Sequence, residues 1–127
     1  MYDSRDAQVA FVQRLVSVVP EFTPIVDEHK AYNGEVLPHV LFGDFTRWII
    51  SLYRQSKLRG SEADRSNEVL ARALSFLEDQ FAQAKDKATS ELIAASFLEN
   101  LDQADADYPG MRQRLGPALR GWLHRLE

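Results

Sequence analysis

The amino-acid sequence predicts an all-α protein, a compact bundle of five or six antiparallel helices. Apolar residues recur at three- and four-residue intervals along most of the 127 residues, which is the spacing of one helical face. No segment shows the apolar and polar alternation that is typical of a half-buried strand. No linker or low-complexity segment divides the chain. We therefore expect a single helical domain over residues 1–127, which is long enough to bury a core without disulfides.

The first two helices are predicted to be separated by Pro20. The first begins at Asp3 or Ser4, either of which can cap a helix, and it ends before the proline. The second is short, with Thr23 as its expected cap and Asn33-Gly34 as a strong stop signal. These residues set the predicted bounds of the N-terminal part of the bundle.

The remaining periodic segments predict four further helices. The third runs from about Leu37 to Lys57 and the fourth from about 63 to 84. The fifth, 87–102, is apolar nearly all round, which predicts a central position. The last runs from about 111 to 126, and Pro117 is expected to kink it. The predicted core side chains on these helices include Phe45, Trp48, Phe97 and Leu98.

The pairing of these helices leaves an alternative to a plain bundle open. Helices three with four, and five with six, could each form one hairpin of a short HEAT-like stack, in which small and apolar residues allow close packing. A solenoid is normally recognised by a residue pattern that recurs at a fixed period, and no such pattern recurs here. A compact bundle is therefore the simpler expectation.

Composition limits the class of protein. The chain has no cysteine, which excludes disulfides, thiolate metal sites and cysteine nucleophiles. It begins with MYDSRDAQVAF, which lacks the basic and then apolar segments of a secretion signal. No apolar run approaches the roughly 18 residues needed to cross a bilayer. We therefore expect a soluble, cytoplasmic protein that has no membrane partner.

The net charge of −4 is unevenly distributed. Residues 61–108 contain eleven acidic and four basic residues, a balance of −7, whereas the balance of residues 109–127 is +3. A nucleic-acid-binding protein normally presents a dominant basic face, so the sequence argues against that class. An acidic face suits a basic protein partner, although charges of this kind also simply coat the outer faces of helices. The residues assigned to this partner-binding face are Glu78, Asp79 and Asp86.

A polar cluster interrupts the apolar third helix in the segment PHVLFGDFTRW. Asp44 and Arg47 are three residues apart, so they can pair on one helical face. His39 is five residues from Asp44, and this spacing does not suit two ligands of one metal. We expect Asp44 and Arg47 to form a buried structural ion pair, with ligand binding as the alternative. Gly43 is expected to admit another helix, since a helical glycine costs about 1 kcal/mol.

A second polar pair, Glu99 and Asn100, closes the apolar fifth helix. Such a pair can satisfy the carbonyl groups that are left unpaired at a helix end. Alternatively, the pair could join His39, Asp44 and Arg47 in one polar pocket that binds a ligand or a partner. The sequence leaves both interpretations open.

The segments LPHVLFGDFTRW and ELIAASFLENL resemble those of a bacterial domain family of unknown function. Members of that family are short helical proteins with similar L-P-H-x-x-F-G-D and S-F-L-E-N-L segments. The resemblance extends from about Val12 to Leu119 and implies a bacterial origin, an all-helical fold and a role in binding another protein. Some members occur in neighbourhoods suggestive of toxin-immunity systems, and the family offers no catalytic residues to transfer.

Two functional hypotheses follow. The sequence lacks the G-x-S-x-G, G-x-x-x-x-G-K-[ST] and G-x-G-x-x-G patterns, so we expect neither catalysis nor a cofactor. The first hypothesis is a non-enzymatic protein-protein interaction module, in its most specific form an immunity-type protein of a bacterial toxin system. The alternative is a small-molecule- or metal-binding helical protein with a site around His39, Asp44 and Arg47.

Overall fold

The computed structural model describes residues 4–83 and 86–127, and within these ranges the chain is helical and has no strand. The predicted all-α fold is therefore confirmed. The described residues form seven α-helices, more than the five or six expected, and two 3-10 turns at Pro20–Phe22 and Leu98–Asn100. The α-helices are α1 (Ser4–Val18), α2 (Thr23–Asn33), α3 (Pro38–Ser56), α4 (Ser61–Gln83), α5 (Lys87–Ser96), α6 (Tyr108–Arg114) and α7 (Pro117–His124).

The bounds of α1 agree with the sequence where they can be compared. Ser4, one of the two expected caps, is the first residue of α1, and the other, Asp3, lies outside the described residues. The helix ends at Val18, before Pro20, as predicted. Its buried face includes Phe11 and Leu15.

α2 begins from a 3-10 turn instead of from a capping side chain. Thr23 makes no capping hydrogen bond, because Phe22 already has a right-handed helical conformation and the chain continues from the turn into α2. The predicted stop is confirmed. Gly34 has a φ of 79°, in the left-handed region that favours glycine, and its N–H donates to Lys30 O at 2.7 Å.

The core is built around α3 and α4, which pack extensively against each other, and α1 and α5 pack against this pair. Phe45, Phe97 and Leu98 are fully buried, as predicted, and the ring centres of Phe45 and Phe97 are 5.8 Å apart. Trp48 is only partly buried, since it also borders the surface between α2 and α3. One continuous apolar cluster thus joins the central helices.

α5 is shorter than predicted. It ends at Ser96 instead of near residue 102, and Leu98–Asn100 form a 3-10 turn. The side-chain amide of Asn100 donates to Ser96 O at 2.8 Å, so a side chain satisfies the carbonyl that a continuing helix would have used. Asn100 thus takes the helix-end role expected of it.

The last predicted helix is two helices. α6 begins at Tyr108, before the predicted start near residue 111, and it ends at Arg114. Leu115 and Gly116 are extended, with ψ values of 146° and 172°. Pro117 has no amide hydrogen and disfavours a helical residue before it, so it starts α7 instead of kinking a continuous helix.

Within the described ranges, no single helix has both the length and the apolar content needed to cross a membrane. α1 and the segment Pro20–Asn33 meet the requirement only when they are taken together, and a bend of 114° separates them.

Candidate functional site

His39 lies in a network of polar side chains and not beside Asp44. Its Nδ1 atom is 2.5 Å from Ser96 Oγ, and its Nε2 atom is 3.3 Å from Gln8 Nε2. Gln8 Nε2 also donates to Ala88 O at 3.0 Å. Because the Gln8 amide nitrogen is a donor, a hydrogen bond between the two requires His39 Nε2 to accept, and Nδ1 is then the ring nitrogen that can donate to Ser96 Oγ.

Ser96 is the centre of this polar network. Its carbonyl oxygen accepts a hydrogen bond from Asn100 Nδ2 at 2.8 Å and lies 3.0 Å from Thr46 Oγ1. The single proton of the Thr46 hydroxyl is shared between Ser96 O and Phe42 O, which is 2.7 Å away. Gln8, Thr46 and Ser96 are all buried, so these bonds replace the water that their polar groups have lost. The polar network, formed by Gln8, His39, Thr46, Ser96 and Asn100, therefore holds α1, α3 and α5 in register.

Of the residues in the polar network, only the two more exposed ones, His39 and Asn100, were predicted from the sequence as site residues. The prediction missed Gln8, Thr46 and Ser96, which are polar residues on otherwise apolar helical faces. That pattern is the one signal that could have found them, because a polar side chain in a core needs a hydrogen-bonding partner.

Asp44 and Arg47 form an ion pair, as predicted, but they form it on the surface. Their side chains are 40% and 73% exposed, so the predicted burial of the pair is wrong. The buried face of α3 is set by Leu41, Phe45 and Ile49, which leaves positions 44 and 47 on the outer side of the helix. An exposed pair contributes at most about 1 kcal/mol, so Asp44→Ala should not destabilise the fold sharply.

The Asp44–Arg47 pair borders an open groove of about 610 Å³ between α2 and α3, which we call the α2–α3 groove. Two of its apolar side chains are largely solvent-accessible: Tyr32 is 89% exposed and Val40 is 56% exposed. Ile25 and Trp48 contribute further apolar surface. This groove therefore combines apolar and charged groups on one exposed side of the bundle.

Among the described residues, no other helix packs closely against Gly43, contrary to prediction. A Cβ atom at this position would meet only the guanidinium nitrogens of Arg47, at 3.8 and 3.9 Å. Gly110 in α6 makes the kind of close contact that was expected of Gly43, because a Cβ there would overlap the Tyr53 hydroxyl. The spacing of glycines in the sequence does not distinguish the two situations.

The five predicted polar-site residues do not form a single pocket. His39 and Asn100 belong to the polar network, Asp44 and Arg47 border the α2–α3 groove, and Glu99 is exposed to solvent. Nowhere in the part of the chain that the structure describes do three or more histidine, aspartate or glutamate side chains converge as possible ligands of a metal ion.

Glu78, which was assigned to a partner-binding acidic face, instead caps another helix. Its carboxylate oxygens accept hydrogen bonds from the backbone N–H groups of Ala118 at 2.8 Å and Leu119 at 3.0 Å, in the first turn of α7. A negative charge at a helix N-terminus is favourable. The Glu78 side chain lies so close to Gly116 that a Cβ there would overlap it. The carboxylate is therefore engaged in holding α7 on α4.

Asp86 is likewise a structural cap. Its Oδ1 atom accepts from Ala88 N at 2.9 Å and from Thr89 N at 3.4 Å, and its Oδ2 atom accepts from the Thr89 hydroxyl at 3.1 Å. Asp79 is exposed. Glu78 and Asp86 thus both cap helices, and of the three residues only Asp79 remains available for the acidic face that was predicted.

His29 is a buried residue with a role that the sequence did not indicate. Its Nε2 atom accepts a hydrogen bond from the backbone N–H of Leu37 at 2.9 Å, just before α3 begins. This bond fixes the connection between α2 and α3. His29 is therefore a structural histidine, and its ring borders the inner side of the α2–α3 groove.

Two ion-pair clusters link distant elements on the surface. Hydrogen bonds from Lys57 and from Arg54, the latter at 2.7 Å, lower the pKa of Asp107. A hydrogen bond from Arg72 at 2.8 Å lowers the pKa of Glu21. The first cluster joins α3 to the loop before α6, and the second joins the turn before α2 to α4. Both are engaged within the fold.

An open groove with a volume of about 710 Å³ lies between α1 and α2. Its floor is apolar, and its rim is charged. Across the rim, Arg5 pairs with Glu35 and also donates to Val36 O at 3.3 Å. We call it the α1–α2 groove. The valines that line its floor are Val9, Val12, Val16, Val26 and Val36. The other charged residues on its rim are Asp6, Asp27 and Lys30.

Sequence comparison assigns residues 12–127 to one protein family, described as a domain of unknown function (DUF7674). The matched region includes the α3 and α5 segments on which the family resemblance was based, and that resemblance is confirmed. The chain has no significant match among curated proteins or among solved structures. Because the match covers all but the first eleven residues, the chain belongs to the DUF7674 family.

Proposed function

We propose that the protein is a non-enzymatic interaction module that binds an amphipathic helix of a basic partner protein. The α1–α2 groove is the observation that carries this proposal. It is an open groove of about 710 Å³, in which apolar side chains lie below a charged rim. Amphipathic helices bind to other proteins by placing their apolar face in a groove of this kind.

The floor of the groove supports recognition of apolar side chains. Val12 and Val26 are buried and belong to the core, whereas Val9, Val16 and Val36 are only partly covered and present methyl groups to the groove. Burying such groups under a partner is favourable by about 25 cal/mol for each Å² of apolar surface. Because Val12 and Val26 are already packed in the core, binding a partner costs little entropy for ordering their side chains.

The rim supports a partner with a basic edge. It contains the acids Asp6, Asp27 and Glu35 against the bases Arg5 and Lys30. In the described residues, neither Asp6 nor Asp27 has an ion-pair partner. With a net charge of −4 on the whole chain, association with a basic helix is expected to be faster at low salt.

The proposal also includes the identity of the partner and the arrangement of the helices. The first is that the partner is a toxin that this chain neutralises, which rests on the family resemblance. The second is a short HEAT-like stacking of helical hairpins, for which the extensive packing of α3 on α4 is the supporting contact. Helical stacks of this type commonly bind partners along extended surfaces.

The experiment is a selection of helical peptides from a displayed library of amphipathic sequences, followed by binding measurements on charge-reversed variants. Selected helices should carry lysine or arginine beside their apolar face. Reversing Asp6 and Asp27 together to lysine should weaken their binding by about tenfold or more. The matched control reverses two exposed acids elsewhere, Asp79 and Glu99, and should leave binding unchanged.

The proposal fails if no helical binder is selected. It also fails if the selected binders are lost when Asp79 and Glu99 are reversed but retained when Asp6 and Asp27 are reversed. All four residues are exposed, so circular dichroism should show the same fold in every variant.

A further inference from the structure

We propose that the exposed face of α3 is a self-association surface on which two copies of this chain pair in antiparallel orientation about a twofold axis. This inference concerns a different surface from the α1–α2 groove, and it does not depend on the proposed function. The surface consists of Val40, Gly43, Asp44 and Arg47, which recur at helical spacing on the outer side of α3.

The charges on this face are self-complementary. Asp44 and Arg47 are one turn apart and exposed, and they pair with each other within the chain. In an antiparallel pairing centred between them, Asp44 of each copy lies opposite Arg47 of the other. A twofold interface repeats every contact, so the same arrangement gives two ion pairs between the copies. A face with only acidic or only basic residues would repel its own copy.

Gly43 provides the space that such a pairing needs. Within its own chain this glycine leaves room that only the Arg47 side chain approaches, although a glycine inside a helix costs about 1 kcal/mol. Without a Cβ atom, the surface next to Asp44 is open to an approaching side chain. The arginine of a second copy can therefore reach the carboxylate.

Exposed apolar groups flank the charged pair. Val40 is 56% exposed, and Tyr32 reaches the same side of the molecule from α2 and is 89% exposed. Tyrosine and arginine, together with tryptophan, are the residue types enriched at the hot spots of interfaces. One helix and a neighbouring side chain bury less than the roughly 800 Å² per partner of a standard interface, so the dimer should be weak and concentration-dependent.

The test uses two charge reversals and their mixture. In Asp44→Arg both positions are basic, and in Arg47→Asp both are acidic, so each variant alone places like charges opposite each other twice. An equimolar mixture places opposite charges at both contacts. The ion pair within each chain remains broken on mixing, so recovered association would report contacts between copies.

Sedimentation velocity is measured from micromolar to millimolar protein. The dimer fraction of the parent chain should rise with protein concentration. Each single variant should dimerise at least about tenfold more weakly than the parent, and the equimolar mixture should recover association between the two variants. Two glycine substitutions test the space at the proposed interface. Gly43→Leu should abolish the dimer. Gly121→Leu is the control, because Gly121 is an exposed glycine of α7 that is also free of close contacts, and it should leave the dimer intact.

The proposal is overturned if the parent is monomeric over the whole range, if both single reversals dimerise like the parent, or if the mixture does not associate. It is also overturned if Gly43→Leu dimerises normally. Since Asp44 and Arg47 lie outside the core, each variant should retain the helical circular dichroism spectrum of the parent.

Discussion

At the scale of single residues, Glu78 stabilises a helix to which it does not belong. Removing its carboxylate leaves two amide groups in the first turn of α7 without their acceptors. Glu78→Ala should therefore lower the free energy of unfolding by about 1–2 kcal/mol in a urea titration. Asp79→Ala is the matched control, because the neighbouring side chain is exposed, and its midpoint should equal that of the parent. Equal effects of the two substitutions would contradict the capping role.

Two helical glycines should respond oppositely to the same substitution. Gly43→Ala adds a methyl group that meets only the flexible Arg47 side chain, so in dilute protein it should raise stability by up to about 1 kcal/mol. Gly110→Ala adds a methyl group that overlaps the Tyr53 hydroxyl, so it should lower stability. Thermal melting of the two variants checks both. A loss of stability in Gly43→Ala would mean that the space beside α3 is not free.

At the scale of helices, one aromatic pair packs α3 against the residue that follows α5. Phe97 is fully buried, and its ring centre is 5.8 Å from that of Phe45. Phe97→Ala should cost about 3–5 kcal/mol, a large part of the stability of a small domain. Chemical denaturation measures the loss. A loss below about 1 kcal/mol would mean that the neighbouring side chains collapse into the space or that the ring is not part of the core.

The sequence predicts helices better than it predicts which face of each helix is buried. Gly34 and Pro20 were recognised as stops because their backbone preferences are local. Asp44 and Glu78 were misplaced because burial and capping depend on helices that are distant in the chain. Ser96 was missed for the same reason, since its partners come from α3 and the turn after α5. A single sequence does not specify these pairings.

At the scale of the whole molecule, ion pairs make the fold sensitive to acid. Hydrogen bonds from lysine or arginine lower the pKa values of Asp107, Glu21 and Glu127 in the folded chain. A folded-state pKa below the unfolded one stabilises the fold above the unfolded pKa, and this stabilisation is lost as the pH falls through the folded pKa. The melting temperature should therefore decrease as the pH falls below about 4. The melting temperature should decrease less steeply in the variant that combines Asp107→Asn, Glu21→Gln and Glu127→Gln. An unchanged slope would mean that these three carboxylates do not cause the acid sensitivity.

Binding of a partner helix in the α1–α2 groove is tested by nuclear Overhauser effects between a selected helical peptide and the valine methyl groups of the protein. We expect contacts from the apolar face of the peptide to Val9, Val16 and Val36. Contacts that miss these three valines and connect the peptide to Val40, at the α2–α3 groove, or to the exposed Val18 would contradict it.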